Sequence, residues 1–155
     1  MSQDASKELK LYPSWKQALA DLETAGIEPG QTIEKEWLEE KFGIEPPVSI
    51  ADAERNNTLF RTSIWQLRET LLTKHKLMLR AVSGVGYRVV EPEKQTEQAL
   101  RDRGEEITRA LSKLHNEVTY VRLDALDDKQ RKANADAQAK IGALLSMSRK
   151  QLGMN

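Results

Sequence analysis

Apolar residues recur at helical spacing along most of this chain and at a spacing of two in one short stretch. From Pro13, the run Trp15, Ala18, Leu19 and Leu22 marks one face of a helix that starts at Pro13 or Ser14 and stops at Gly26. Glu28-Pro29-Gly30 reads as a turn. Thr32 can then cap a second helix, in which Ile33, Trp37, Leu38 and Lys41 recur on one side and Gly43 ends the run. Pro46 and Pro47 impose an extended break. Ser49 can cap a short helical turn after it, which Asn56-Asn57 interrupts. Asn57 starts a longer helix reaching about Lys74, whose buried stripe is Phe60, Ile64, Leu67 and Leu71.

The period then changes. Leu77, Leu79 and Ala81 alternate with Met78, Arg80 and Val82, Ser83-Gly84-Val85-Gly86 forms a turn, and Tyr87-Arg88-Val89-Val90 returns, which predicts a β-hairpin. Glu91-Pro92-Glu93 closes this part of the chain. From Lys94 to Leu152 there is no proline, so one or two long helices are expected. Leu100, Ile107, Leu114 and Val121 fall seven apart, with Leu111, Val118 and Ala125 in the alternating seam, which predicts a coiled coil that weakens beyond Leu126. Ile141, Leu144, Leu145 and Leu152 form a separate apolar patch. The expected fold is mainly α with a small β-hairpin, followed by a long C-terminal helix. Its divisions are a flexible N-terminus at 1–10, a head of three helices and a hairpin at 11–92 and a helical coiled-coil region, expected to oligomerise, at 93–155.

Composition sharpens this picture. The 155 residues carry 24 Lys+Arg and 24 Asp+Glu. That balance rules out a uniformly basic coat, and equally an acidic or polybasic disordered chain. Charge is nevertheless segregated. Residues 1–54 hold 5 basic and 12 acidic residues (net −7), residues 55–90 hold 7 and 1 (+6), and residues 91–155 hold 12 and 11 (+1). The basic segment is the one containing the third helix and the hairpin, so one surface is suited to an anionic partner and an acidic face to a basic protein. Cysteine is absent, which removes disulfides, thiolate metal sites and cysteine catalysis, and fits a reducing compartment. Met1 to Lys10 lacks the apolar run of a signal peptide, and no stretch has spanning length. A cytoplasmic protein without a membrane partner is expected.

Candidate chemistry is sparse. Gly84-Val85-Gly86 links two strands, whereas a phosphate cradle needs its glycines between a strand and a helix. His75 and His115 have no ligand-spaced neighbours for zinc. Asp124, Asp127 and Asp128, beside Lys129, Arg131 and Lys132, read as a solvated helical face. No serine or lysine has an activating partner. No enzyme, cofactor or metal site is expected.

Three segments carry a family resemblance: Pro29-Gly30-Gln31-Thr32-Ile33 through Trp37-Leu38, Ile64-Trp65-Gln66-Leu67-Arg68-Glu69-Thr70-Leu71, and Val82-Ser83-Gly84-Val85-Gly86-Tyr87-Arg88-Val89-Val90. Together they resemble the winged helix-turn-helix effector domains of OmpR/PhoB-type response regulators over residues 11–90, without a receiver domain. The resemblance implies double-stranded DNA as partner, with the third helix as recognition helix and the hairpin as wing. On that helix Thr62 and Gln66 are placed to read base edges, Arg61 and Arg68 to meet phosphates or guanine, and Trp65 either to pack on the hairpin or to touch DNA. Glu69 is repelled by phosphates unless it accepts from cytosine or pins an arginine. Arg80 and Arg88, with Lys74, Lys76 and Arg55, supply further neutralisation, and five to seven engaged phosphates would give a log–log salt slope of roughly −4.5 to −6. The C-terminal helix would make a homo-oligomer through Leu100, Ile107, Leu111, Leu114, Val118 and Val121. The expected role is a small bacterial or phage transcriptional regulator. A phage packaging component of small-terminase type and a winged-helix protein-interaction module are the alternatives.

Overall fold

A computed structural model describes residues 13–151. The expectations for residues 1–10 and for Leu152 lie outside that range. The elements are α1 (Ser14–Ala25), β1 (Thr32–Glu34), α2 (Lys35–Phe42), α3 (Ile50–His75), β2 (Leu79–Val82), β3 (Gly86–Val89), α4 (Pro92–Thr119) and α5 (Asp128–Gln151), with a 3-10 turn at Leu123–Ala125 between the last two. The fold is mainly helical with a small antiparallel sheet. It divides into two compact units, Met1–Glu93 and Lys94–Asn155.

In the first unit, three helices pack around the stripes that periodicity marks. Ala18, Leu19 and Leu22 of α1, Leu38 and Phe42 of α2, and Ile64, Leu67 and Leu71 of α3 enclose one core with Ile33, Leu79 and Val89 of the sheet. Leu38, Leu67, Leu71, Leu79 and Val89 are fully buried, and each contributes roughly 2 kcal/mol of transfer free energy. Phe42 meets Phe60 edge-on at 5.6 Å between ring centroids, which ties α2 to α3.

Two sequence expectations are corrected here. Thr32 caps no helix; with Ile33 and Glu34 it forms β1, which pairs antiparallel with β3 in the register Thr32 to Arg88, Ile33 to Tyr87 and Glu34 to Gly86. The sheet order is therefore β1-β3-β2, with the hairpin forming two of its three strands. Backbone bonds from Gly30 N to Val89 O and from Val89 N to Gln31 O, both 2.8 Å, extend that pairing and hold the chain extended where a helix would otherwise begin. The second correction is the start of α3. Ser49 Oγ accepts from Asp52 N at 3.1 Å, so the cap lies there and the helix runs 26 residues, through Asn56 and Asn57. Asn56 does not break it, because its side chain donates to Glu45 O at 2.7 Å and pins the preceding loop instead.

One ion pair links α1 to α2. Lys41 Nζ lies 2.7 Å from Asp21 Oδ2. That hydrogen bond holds the Asp21 carboxyl below its usual 3.8 and the Lys41 ammonium above its usual 10.5. A depressed acid stabilises the fold above its unfolded value and loses that contribution as pH falls through the folded one. Asp21→Asn is therefore expected to lower the melting temperature at neutral pH, with the difference from the parent closing in melts taken progressively below pH 4. For Lys41 the sign reverses, and its contribution fades as pH rises through its raised value.

The second unit is an antiparallel helical hairpin, which corrects the heptad expectation. Thr108 Oγ1 lies 2.7 Å from Ser148 Oγ, and the side chains of Asn134 and Gln138 both donate to Val118 O, at 2.9 and 3.0 Å. Gly142 stands beside the His115 ring. α4 ends at Thr119, so Val121 and Ala125 belong to the connection and not to a continuous seam. Asp124 lies in the 3-10 turn, while Asp127 and Gln130 cap α5 reciprocally, Gln130 N to Asp127 Oδ1 at 2.8 Å and Asp127 N to Gln130 Oε1 at 3.0 Å. Leu111 and Val118 are half-buried, whereas Leu100, Ile107 and Leu114 face solvent. No helix among the described residues is long and apolar enough to cross a membrane.

Candidate nucleic-acid interface

One flank of α3, running from Ile64 of the buried stripe outward, meets the inner side of β3 across an open groove of about 580 Å³, lined by Thr58, Arg61, Thr62, Ile64, Trp65, Arg68 and Tyr87. Its floor follows from the helical period: Ile64 is buried in the core, the exposed Arg61 and half-buried Arg68 lie one turn to either side of it, and the exposed Thr58 and Thr62 continue the same flank outward. Tyr87 closes the far wall, because it pairs across the sheet with Ala81 and Ile33 on the side that carries Leu79 and Val89. The Arg68 guanidinium carbon lies 5.8 Å from the Tyr87 ring centroid. Such a contact is worth only about 0.5–1 kcal/mol at an exposed site, but it orients a planar cation along the groove. Trp65 is 58% exposed. It lies in the groove, unclaimed by the core.

The lining therefore combines two guanidinium groups, three hydroxyls, two aromatic rings and the Ile64 side chain, with no carboxylate among them. This set can hold a phosphodiester and present hydrogen-bonding and stacking surface beside it. It contains no nucleophile with an adjacent base. Among the described residues no group of three or more His, Cys, Asp or Glu could hold a metal ion.

Of the residues singled out in the sequence, Arg61, Thr62, Trp65 and Arg68 are brought together here. The others are not. Gln66 is half-buried outside the groove, and its backbone carbonyl accepts from the Thr70 hydroxyl. Arg80 and Arg88 are direct cross-strand partners, and strand alternation puts them on the sheet face opposite Tyr87. Like charges so placed repel, and Glu91 relieves this by accepting from Arg88 Nη2 at 2.8 Å. Arg55 pairs with Asp52 at 3.3 Å. Lys74 and Lys76 lie at the C-terminal end of α3, where cations favour the helix dipole, and Lys76 Nζ donates to Thr73 O at 2.7 Å. His75 meets Glu23 at 2.7 Å.

Tyr87 and Thr58 are the site residues that sequence reasoning missed. The signal for Tyr87 was the period of two, which sets it on the same side of β3 as Val89. Thr58 shares the exposed face of α3 with Thr62 one turn on, but no role was assigned to it. No family model matches the chain, and neither the curated proteins nor the solved structures contain a match to it.

Proposed function

We propose that this protein is a double-stranded-DNA-binding module of winged helix-turn-helix type, a small bacterial or phage regulator that acts as a homo-oligomer and has no catalytic role. In this reading α3 enters the major groove and the β2–β3 hairpin rests on the neighbouring backbone. The observation that carries it is the carboxylate-free groove in which Arg61, Arg68, Thr62 and Trp65 converge with Tyr87. Arg68, steered by the Tyr87 ring, is the side chain best set for a bidentate contact to guanine or phosphate. Arg61 flanks it as a phosphate contact. Glu69 lies outside the groove lining, which removes the conflict its charge would create within it.

Seven cations stand on α3, its end and the hairpin, and two of them, Arg55 and Arg88, pair with Asp52 and Glu91. Engagement of five phosphates gives a slope of log K against log salt of about −4.5 per head. The test is one salt titration with random and with genomic duplex fragments. A slope near that value, with genomic fragments retained at salt that releases random ones, supports a specific regulator. A slope near zero sinks DNA binding altogether.

A further inference from the structure

One face of the α4–α5 hairpin is apolar and faces solvent. Leu100, Ile107 and Leu114 follow each other at seven-residue steps on α4 and are 50, 51 and 42% exposed, while Leu144 and Met147 of α5 are 53 and 52% exposed. At ~100° per residue, the α4 stripe lies about 40–80° to one side of the row Gly104, Thr108, Leu111 and His115 that meets α5. Leu144 lies about 80° to the same rotational side of the row Asn134, Gln138, Ile141 and Leu145, with Met147 at its outer edge. Because the helices run in opposite directions, rotations of the same sign bring both sets to one face of the hairpin. Ala133 and Ala137 continue it along α5.

We propose that this face pairs with the same face of a second copy, making a four-helix dimer in place of a two-stranded coiled coil. The inference rests on the oligomer reading above and is independent of DNA binding. Three observations select a second copy as the occupant. First, the hairpin has almost no interior of its own: in α4 and α5 only Gly104, Thr108 and Leu145 are buried. Between the helices the polar bonds of Ser148, Asn134 and Gln138 stand among half-buried Leu111, Val118 and Ile141, and a helix pair must bury its remaining apolar stripe against a further layer. Second, the α4 stripe is flanked by charges of both signs that pair in place, Arg101 with Glu97, Arg103 with Glu106 and Arg109 with Glu105. A two-fold contact sets such a mixed rim and its apolar centre against their own copies.

Third, the area suffices. The 24 residues of α5 span about 36 Å, and two helices at ordinary spacing are roughly 18 Å wide. One face then covers about 650 Å² and the pair about 1,300 Å², above the roughly 1,000 Å² a stable interface needs.

The experiment is sedimentation equilibrium of the full chain without DNA, alongside Ile107→Asp, Leu144→Asp and the opposite-face control Lys132→Asp. Circular dichroism reports whether each variant keeps its helices, which half-exposed positions should allow. The expected result is a dimer for the parent and Lys132→Asp, and for each stripe variant a dimer weakened by about 100-fold or more. A monomeric parent overturns the proposal and leaves the face to a foreign partner. Any other parent mass, or a dimer that survives both stripe substitutions, also overturns it. Failure here leaves the salt titration of a single head untouched, so the two readings stand or fall separately.

Discussion

Replacing Arg61 and Arg68 together by alanine is expected to weaken duplex binding by about 30- to 20,000-fold, since each guanidinium contact to a base or phosphate is worth roughly 1–3 kcal/mol. Charge reversal of the pair should abolish binding. The salt dependence should change as well: with two of five phosphate contacts gone, the slope falls from about −4.5 to about −2.7. Arg68→Lys separates charge from shape. It keeps the cation but loses the planar fork and its stacking on Tyr87, so its salt slope should match the parent while its preference for genomic over random fragments falls. Exposed Arg61 and half-buried Arg68 lie outside the core, so melting should shift by no more than about 1 kcal/mol. If the doubly substituted protein binds DNA as the parent does, the groove is not the interface. The acidic surface would then be the one to probe, with basic protein partners.

Residues with one unambiguous environment were legible in the sequence. The α1 run Trp15, Ala18, Leu19, Leu22 and the α3 stripe Phe60, Ile64, Leu67, Leu71 can be satisfied only by burial on one side, and they are core residues except for Trp15 and Phe60, which pack half-buried against it. The hairpin was equally plain, because alternation on both sides of a glycine-rich turn has no helical rendering. β1 was not legible. Three residues are too few to establish a period, Thr32 serves equally well as a cap or a strand residue, and the deciding partner, β3, lies more than fifty residues away. At the head of α3, low helix propensity at Asn56 and Asn57 suggested a break, but the Ser49–Asp52 cap and the Asn56 bond to Glu45 override it.

The C-terminal region shows the same limit in another form. Heptad spacing marks α4 as helical, yet it does not say which apolar residues are covered. That is decided by the return of α5, whose Ser148, Asn134 and Gln138 meet α4 at Thr108 and Val118 and leave Leu100, Ile107 and Leu114 outside. The candidate site divides likewise. Charge and helical period gather Arg61, Thr62, Trp65 and Arg68 from sequence alone. The separation of Arg80 and Arg88 from that group follows from the period of two, which a list of basic residues ignores.

Gly86→Ala is expected to be the most destabilising single-methyl change in the first unit. Gly86 has φ +148°, a region that side chains of L-residues rarely enter, and a Cβ there would stand 2.2 Å from Ile33 O, 2.7 Å from Lys35 N and 3.0 Å from Glu34 C. All three neighbours are backbone atoms, so no rotamer change relieves the clash. β3 must either shift away from β1 or abandon the Glu34 to Gly86 register. A cost of about 3 kcal/mol or more follows, at the upper end of ordinary point substitutions and a large share of the 5–15 kcal/mol that holds a domain together. Gly84→Ala is the control. It also has positive φ, +72°, but a Cβ there meets nothing within 4 Å, so only the left-handed backbone penalty of roughly 1 kcal/mol applies. Urea melts followed by tryptophan fluorescence, through Trp15 and Trp37 beside the core, measure both. The consequence reaches the groove, because the β1–β3 approach fixes Tyr87 opposite Ile33 and thereby positions the ring that orients Arg68. Gly86→Ala should therefore lose DNA affinity even at temperatures where its helices persist, while Gly84→Ala retains it. Equal stability of the two variants would mean that β3 does not pack against β1 as described, and the wall of the groove would have to be rebuilt.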